Sequence, residues 1–500
     1  MTITRALFPE QMTTRVWLPL FVLVDVLSFF AYFEPSFRTA FFVILFVAYV
    51  ILALTNYKYA VLVAFAELFV GSHGYLLWLQ LGETQVSMRI AFYLLLMAAS
   101  VLHVKELRLQ LSKPSGKALL AVMGPLAFFI GLAFVRGVLS GANFGAVFFD
   151  ANAYLYFALV VPLLVVIADK DFFKDCVHLL FVAAGYLAVK TVLLFYVFTH
   201  SYFQYFVPDI YMWLRDSKIG EFTPLGTGLY RIFIQSQIYL LVVWIYAVLS
   251  HVHRPVWHYG KAVLYVSFLA AALIVSYSRS FWLGWVGVLM LAVVWLLASR
   301  RMVEAIRSVG FSALSVLIGY LVVVAVVAVP FPGTPSGAKF SLDERLTASD
   351  AAASSRWNEL SPLWKQIEKH QFIGNGFGSS VTYISNDPRV REENSSGLYI
   401  TTAFEWGYLD MWLKLGLLGI ASYGLLISCI IYWGYQKKVT ELGLLFGVLA
   451  VLMVNIGSPY LNHPLGIGLV LLALLFYAPG LTGSENRAIN MGSTLPNVPR

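Results

Sequence analysis

The sequence predicts an all-α polytopic membrane protein. Of its 500 residues, 60% are hydrophobic and only 12% are charged, whereas soluble domains have about 45–50% apolar and about 25% charged residues. Aromatic residues make up 16% of the chain, and Trp and Tyr concentrate at both membrane–water interfaces. Apolar runs of about 20 residues, the length that a membrane-spanning helix requires, recur along the chain.

About fourteen apolar runs are candidate spans, and because several are short or nearly contiguous we expect about 12–14 transmembrane helices. The runs lie near residues 16–33, 39–56, 59–82, 89–104, 118–136, 153–168, 174–199, 229–250, 261–277, 281–299, 310–330, 408–434, 440–457 and 463–479. No small-residue cleavage site follows the first run, so we interpret it as a retained span and not as a signal peptide.

The positions of Lys and Arg predict the orientation of the chain, because cytoplasmic loops carry an excess of both. Counted from a cytoplasmic N-terminus, the inner loops contain basic residues such as Lys58, Lys105, Lys170, Arg254, Arg300 and Lys437. The net charge of +8 is therefore a topology signal and does not indicate nucleic-acid binding. This orientation places residues 200–228 and 331–407 outside the cytoplasm.

The same pattern divides the chain into five parts. They are a cytoplasmic N-terminus at 1–15, a helix bundle at 16–330, a long outer loop at 331–407, C-terminal transmembrane helices at 408–480 and a cytoplasmic tail at 481–500. The tail is rich in Gly, Ser, Asn and Pro, a composition that predicts disorder.

The long outer loop contains a predicted amphipathic helix, RWNELSPLWKQIEKH, which would lie on the membrane or on the rest of the protein. One face of this helix collects Trp357, Leu360, Leu363, Trp364 and Ile367. The opposite face collects Glu359, Lys365, Gln366 and Lys369. The next stretch, FIGNGFGSS, has glycines at 374, 376 and 378, where the backbone must turn tightly or approach a neighbour closely.

Four arginines are predicted at the outer side of the membrane: Arg136, Arg231, Arg279 and Arg356. A charge at the centre of a bilayer costs at least ~2.5–3.5 kcal/mol on insertion scales, whereas an interfacial Arg can snorkel to water. Each arginine alone could therefore be an interfacial anchor. Together they would suit bidentate binding of phosphate or pyrophosphate.

The stretch TTAFEWGYLDMWLKLGLLG places Glu405 at the mouth of a predicted span. Glu405 could deprotonate a hydroxyl as a general base, or it could be an interfacial carboxylate paired with one of the arginines. Asp410 and Lys414 are spaced i,i+4 and are expected to pair with each other. His370, in the outer loop, is an alternative base.

The remaining residues predict no metal and no cofactor. The histidines lack HxxxH or HExxH spacing, and no P-loop or GxGxxG motif is present. Cys176 and Cys429 lie in apolar runs, which favours packing over a disulfide or a zinc site. Glu67 and Lys190 are intramembrane charges that could pair structurally.

The ordered set SYSRS, a span, a long outer loop with RWxE, GNGFG and YLDMWLKLGLLG resembles the O-antigen ligase/polymerase family of the Wzy_C type. The resemblance covers roughly residues 265–430 in detail. It implies a metal-independent glycosyltransferase of the bacterial inner membrane, without a cofactor and with a periplasmic active site. The donor would be an oligosaccharide on undecaprenyl diphosphate, and a flippase and a chain-length regulator of the same pathway would be partners.

The residue patterns, together with the resemblance, predict roles for individual residues. Arg279, Arg356 and Glu405 would be catalytic, the arginines by stabilising the diphosphate leaving group and Glu405 by activating the acceptor hydroxyl. The implied substrate-binding residues are Arg231, Arg136, Trp357, Glu359, His370 and Tyr408. Ligases carry a His where this chain has Glu405, which favours a polymerase making an exopolysaccharide or O-antigen over a ligase acting on lipid A core.

Two other classes of protein remain as alternatives, a lipid-glycan flippase or transporter and a non-enzymatic membrane scaffold. Transporters usually show pseudo-repeats and broken helices near the bilayer midplane, and no internal repeat is visible in this sequence. We therefore favour an enzyme in which the amphipathic helix is a lid. Arg356 would point into the donor site, and the glycines would turn the chain back towards Glu405.

Overall fold

The computed structural model describes residues 14–82, 84–225, 229–253, 260–329, 351–386 and 388–480. The predicted tail at 481–500, nearly all of the predicted N-terminal segment and the lead-in of the outer loop before residue 351 lie outside the described residues.

Helices dominate the described residues, which confirms the predicted all-α class. The helices of the first half are α1 (Thr14–Phe33), α2 (Pro35–Thr55), α3 (Tyr57–Val70), α4 (Met88–Ser100), α5 (Val104–Ser112), α6 (Pro114–Leu139), α7 (Phe144–Leu155), α8 (Val160–Val166) and α9 (Phe172–Thr199). Those of the second half are α10 (Val207–Asp216), α11 (Ile238–His251), α12 (Gly260–Val275), α13 (Arg279–Ala298), α14 (Met302–Ala328), α15 (Ala351–Glu368), α16 (Pro388–Glu393), α17 (Gly407–Gly434), α18 (Gly443–Val454) and α19 (Pro464–Tyr477).

Nine helices among the described residues are long and apolar enough to cross a membrane, if α4–α5 and α7–α8 each count as one. Three shorter apolar helices, α12, α18 and α19, also coincide with predicted spans, as do α3 and α11. A helix of 14 residues, such as α11, is about 21 Å long, less than the ~30 Å of a hydrocarbon core. The side chains of α11 are almost wholly buried between α12 and α18, where non-helical flanking backbone is tolerated.

Three antiparallel hairpins in the described part of the chain, none of them predicted, connect helices. They are β1 (Trp78–Leu81) with β2 (Thr84–Ser87), β3 (Gly220–Pro224) with β4 (Tyr230–Ile234), and β5 (Val381–Ile384) with β6 (Leu398–Thr401). The second hairpin corrects the predicted span at 229–250, because the helix begins only at Ile238. Arg231 consequently lies on strand β4 and not at the end of a helix. The sequence YRIFI is rich in β-branched and aromatic residues, which favour an extended backbone.

Charged side chains inside the bundle pair across neighbouring helices. Arg89 Nε lies 2.7 Å from Glu67 Oε2, and Lys190 Nζ lies 2.5 Å from Asp25 Oδ2. Glu67 and Lys190 therefore do not pair with each other. Each has a nearer partner of opposite charge, as a buried ion requires.

Candidate active site

The amphipathic helix α15 packs on the first turns of α17. Leu363 and Ile367 are buried in a small cluster with Val381, Phe404 and Leu413. This cluster holds the outer loop against the end of the bundle at which α17 begins, which we call the site face. Apolar burial of this kind is the main force that docks a helix of low intrinsic stability.

The buried face of α15 differs from the predicted one. Glu359, predicted on the polar face, is only 3% exposed, whereas Trp357 and Trp364, predicted on the apolar face, are 65% and 42% exposed. The two tryptophans instead contact Trp406 and Trp412 edge to face, with ring centroids 5.5 and 5.4 Å apart. The contacts with Trp406 and Trp412 thus set the rotation of α15 about its axis. Hydrophobic periodicity alone does not predict this rotation.

Arg356 and Glu405 form an ion pair at the site face. Their side chains remain 36% and 52% exposed, so both groups are open to a ligand. The indole of Trp406 donates to the Arg356 carbonyl at 3.0 Å and fixes the backbone beside the pair. Of the two interpretations of Glu405, the structure shows the pairing with an arginine.

Burial also changes the acid–base behaviour of Glu359. Desolvation raises the pKa of its carboxyl to about 7, helped by the nearby Asp410 carboxylate and opposed by Arg356. A carboxyl with a pKa in this range can hold or release a proton near neutral pH. Glu359 is therefore a carboxyl near Arg356 that can exchange a proton close to neutral pH.

The glycine turn, residues 371–380, lies against the backbones of α6 and α17. Gly374, Gly376 and Gly378 have φ of 71°, 94° and 76°, a region that L side chains rarely adopt. A Cβ on Gly374 would lie 2.4 Å from the Lys414 carbonyl oxygen, and one on Gly376 would lie 2.5 Å from the Gly137 nitrogen. The predicted close approach is confirmed, but the turn directs the chain into α6 and α17 and not straight to Glu405.

Helix α17 is broken where the glycine turn meets it. Gly416 has φ 75° and ψ 176°, which interrupts the helical hydrogen bonds. The turn replaces these bonds: the N–H of Asn375 donates to Leu413 O at 2.7 Å, and that of Leu417 donates to Gln371 O at 2.8 Å. Non-helical backbone is tolerated at membrane depth only where protein satisfies it in this way.

A buried lysine lies two residues before the break. Lys414 Nζ is 2.6 Å from Asp410 and 2.8 Å from Asp150, which confirms the predicted Asp410–Lys414 pair. Asp150 also accepts a hydrogen bond from the N–H of Gly378 at 2.8 Å. The sequence analysis missed Asp150, although a lone carboxylate inside the apolar stretch AVFFDANAY is a recognisable signal.

The turn before α13 contacts Arg231 and leads directly to Arg279. Arg231 Nε donates to Ser276 O at 3.0 Å, and another guanidinium nitrogen lies 2.9 Å from Glu221. Arg279 is the first residue of α13, three positions after Ser276. The Arg231 guanidinium thus lies beside the turn that leads into α13, whose N-terminus favours anions.

Segment 455–463 connects the start of α13 with the start of α17. Ser280 and Ser458 share a hydroxyl hydrogen bond of 2.8 Å, and the Asn462 amide donates to Asp410. Tyr408, predicted to bind substrate, donates its hydroxyl to Leu452 O at 2.8 Å and so anchors α17 to α18. Through these contacts the Arg231–Arg279 region and the Arg356–Glu405 pair both lie at the site face.

Arg136 and His370 lie elsewhere on this face. They line a cavity of about 830 Å³ together with residues of the α6–α7 turn and the glycine turn. Its lining does not include the other three predicted arginines or Glu405. The predicted arginine cluster therefore divides, with Arg136 apart from the rest.

Histidines and acidic residues form no recognisable metal centre in the described part of the chain, where no group of three or more His, Cys, Asp or Glu could hold an ion. One histidine pair escaped the sequence analysis. His463 Nε2 lies 3.3 Å from His73 Nδ1 although 390 positions separate them. Such a distant pair leaves no signal in sequence spacing.

Residues 264–424 match the family model described as O-antigen ligase (Wzy_C). The match confirms the resemblance that the motifs indicated, over nearly the same part of the chain. Neither the curated proteins nor the solved structures gave a match.

Proposed function

We propose that the O-antigen ligase domain at residues 264–424 makes this multi-pass membrane protein a polymerase of lipid-linked glycans. The family implies glycan transfer of the O-antigen ligase or polymerase type. In the proposed reaction, repeat units on undecaprenyl diphosphate are joined at the periplasmic face of the bacterial inner membrane. The observation that carries the proposal is the Arg356–Glu405 ion pair at the site face, together with Arg231 beside the turn that leads into α13.

The arginines are suited to the donor's diphosphate. Arg231 and Arg279 flank the N-terminus of α13, and a helix N-terminus with guanidinium groups binds phosphate oxygens well. As the glycosidic bond to phosphate breaks, undecaprenyl diphosphate leaves with the bonding electrons. Fixed positive groups stabilise the charge that develops on it.

Glu405 is the proposed base. An acceptor hydroxyl oxygen attacks the anomeric carbon of the donor, and its proton passes to the Glu405 carboxylate. Before the donor binds, Arg356 holds this carboxylate. When the diphosphate binds Arg356, the ion pair between Arg356 and Glu405 breaks. The Glu405 carboxylate is then available to the acceptor hydroxyl.

Helix α15 would act as the cover of this site. Its buried face, with Leu363 and Ile367, lies on the site face, and Arg356 projects from its first half. Excluding water would strengthen the contacts between arginine and diphosphate and suppress hydrolysis of the donor. His370 lies in the separate cavity, so we retain it only as the alternative base.

The test uses purified full-length protein with a lipid-linked repeat and neither nucleotide nor metal. Wild-type protein should extend the glycan, and Arg231→Lys and Arg279→Lys should each lose most activity, because ammonium cannot form the bidentate fork. Arg108→Lys, on the exposed surface of α5, is the matched control. In a parallel reaction with added lipid A core, transfer to the core without chain growth would identify a ligase. Full activity of both arginine variants would reject the diphosphate site.

The proposed periplasmic orientation has its own test. Ser395→Cys near the site face and Gln436→Cys at the opposite end of α17 both place a thiol at an exposed position. In intact spheroplasts an impermeant thiol reagent should label the first variant alone. Labelling of only the second would invert the orientation.

A deletion strain separates the polymerase from the alternative flippase. Loss of a polymerase should leave single lipid-linked repeats facing outward, whereas loss of a flippase should leave them facing inward.

A further inference from the structure

We propose that the cavity between the end of α6 and the glycine turn binds an anionic sugar of the transferred glycan, at a subsite separate from the diphosphate. This proposal rests on the proposed function, since it supplies the substrate class for the same face of the protein. It identifies a glycan that carries a carboxylate among its hydroxyl groups.

The cavity has the size and construction of a ligand site. Its volume of about 830 Å³ lies within the 300–1,000 Å³ typical of ligand pockets. The walls come from the end of α6, the turn before α7, the glycine turn, the C-terminal end of α15 and the residues around the end of β6. Because separate elements converge there, the space is formed by the fold and not by one loop.

The charge of the lining selects an anion. Arg136 is the one Arg or Lys side chain among the described residues of the lining, and these residues include no Asp or Glu. The Arg136 Nε is buried and has no hydrogen-bond partner among the described residues. A buried donor without a partner is costly, so a ligand oxygen is expected to fill this place. A carboxylate matches the guanidinium geometry.

The rest of the lining matches a sugar. Hydroxyl and amide groups line the cavity, supplied by Ser140, Asn143, Asn375, Ser380 and Thr402. Such groups donate to and accept from sugar hydroxyls. Leu139 and Ile400 add apolar surface, on which the C–H faces of a sugar ring can lie.

Two walls are fixed before any ligand arrives. The Asn375 amide donates to Gln366 O at 2.9 Å, which ties the glycine turn to α15. Asn143 caps α7 by accepting from the Ala146 N–H at 3.2 Å. A preformed site loses less entropy on binding, so the cavity can hold the glycan while the other end of α15 holds the diphosphate.

The test measures binding to full-length protein in nanodiscs. The probes are a disaccharide containing glucuronate, the neutral disaccharide of the same linkage, and undecaprenyl diphosphate without sugar. Wild-type protein should prefer the acidic disaccharide by about tenfold or more, the range of a charged hydrogen bond. Arg136→Gln should abolish this preference, and Arg136→Lys should keep part of it.

Two further variants keep the result interpretable. Lys369→Gln removes an exposed charge near the end of α15 that does not line the cavity, and it should leave binding unchanged. Thr402→Trp should obstruct the cavity and weaken the binding of both disaccharides, while the charge of the cavity stays the same. Equal binding of acidic and neutral sugars by wild-type protein would overturn the proposal. The proposal would also be overturned if Arg136→Gln weakened binding of undecaprenyl diphosphate as much as binding of the acidic disaccharide. In that case the anion bound by Arg136 would be the diphosphate of the carrier lipid.

These outcomes are distinct from a failure of the proposed function. Binding of a disaccharide requires no chain growth, so selective binding by a protein that never polymerises would reject the polymerase and keep the subsite. If instead chain growth is normal but binding of the acidic disaccharide does not depend on Arg136, the polymerase proposal stands and the subsite is rejected.

Discussion

Arg356 and Glu405 join the first half of α15 to the head of α17 through an ion pair. The pair is partly exposed, and exposed ion pairs contribute only about 0–1 kcal/mol to stability. We therefore expect its main effect on function and not on folding. Glu405→Gln should reduce chain extension by about 10²–10⁴-fold, the usual contribution of a positioned base, while the protein reaches the membrane at normal levels.

A charge swap separates this role from a purely structural pairing. The double variant with Arg356→Glu and Glu405→Arg keeps the attraction but exchanges the chemistry of the two positions. It should remain as inactive in the chain-extension assay as either single variant. Recovery of activity would show that the pair only anchors α15.

Two glycines of α6 offer a matched test of the glycine turn. A Cβ on Gly137 would lie 2.3 Å from Phe377 O, whereas one on Gly124 would meet nothing within 4 Å. Gly137→Ala should destabilise the protein by about 1–3 kcal/mol, as overpacking does. Gly124→Ala should be neutral or slightly stabilising, since Ala favours helix. Thermal unfolding of the purified variants measures both, and equal melting temperatures would contradict the close packing.

Removal of the buried lysine should be far more damaging than removal of an exposed one. Lys414→Met leaves Asp150 and Asp410 buried without their common cation, and breaking a buried pair costs about 3–5 kcal/mol. Lys437→Met, near the opposite end of α17 and exposed, should have no measurable effect. Fluorescence-detected size exclusion after heating compares the two, and equal survival would refute a structural role for Lys414.

Glu359 predicts a dependence of stability on pH. Its folded-state pKa of about 7 exceeds the ordinary 4.5 because burial disfavours the charged carboxylate. The folded protein therefore holds this proton more tightly than the unfolded chain. The resulting stability is fully present below pH 4.5 and is lost as pH rises through 7.

Glu359→Gln removes the titration and should flatten this part of the profile. Melting temperatures of wild-type and variant protein between pH 5 and 8 give the measurement. The wild-type value should fall relative to the variant with rising pH, and parallel curves would show that Glu359 is not the group responsible.

The sequence contained enough to predict the architecture and part of the site. Long apolar runs identify membrane helices because a helix needs about 20 apolar residues to cross the hydrocarbon core of the bilayer. The i,i+4 spacing of Asp410 and Lys414 predicted their contact, since both lie on one helix face. The three glycines predicted a close backbone approach, since glycine lacks a Cβ and readily adopts φ values that L side chains rarely adopt.

The neighbours of Lys414 and Arg136 that lie far away in the sequence could not be predicted. Asp150 reaches Lys414 across 264 positions, and spacing within one helix carries no information about a second helix. The rotation of α15 follows from tryptophans on α17, so periodicity gave the wrong place for Glu359 and Trp357. The separation of Arg136 from the other arginines likewise depends on how helices pack.

The shared hydrogen bonds between the glycine turn and the broken α17 limit how this protein can be recombined. Neither segment satisfies its own backbone, because Asn375, Leu417 and Leu418 all donate across the junction. A chimaera that exchanges the outer loop alone, to alter which glycan is handled, would cut this ladder. Residues 371–418 therefore form one structural unit. A graft from a related protein that changes glycan specificity should fold only when it transfers this whole unit.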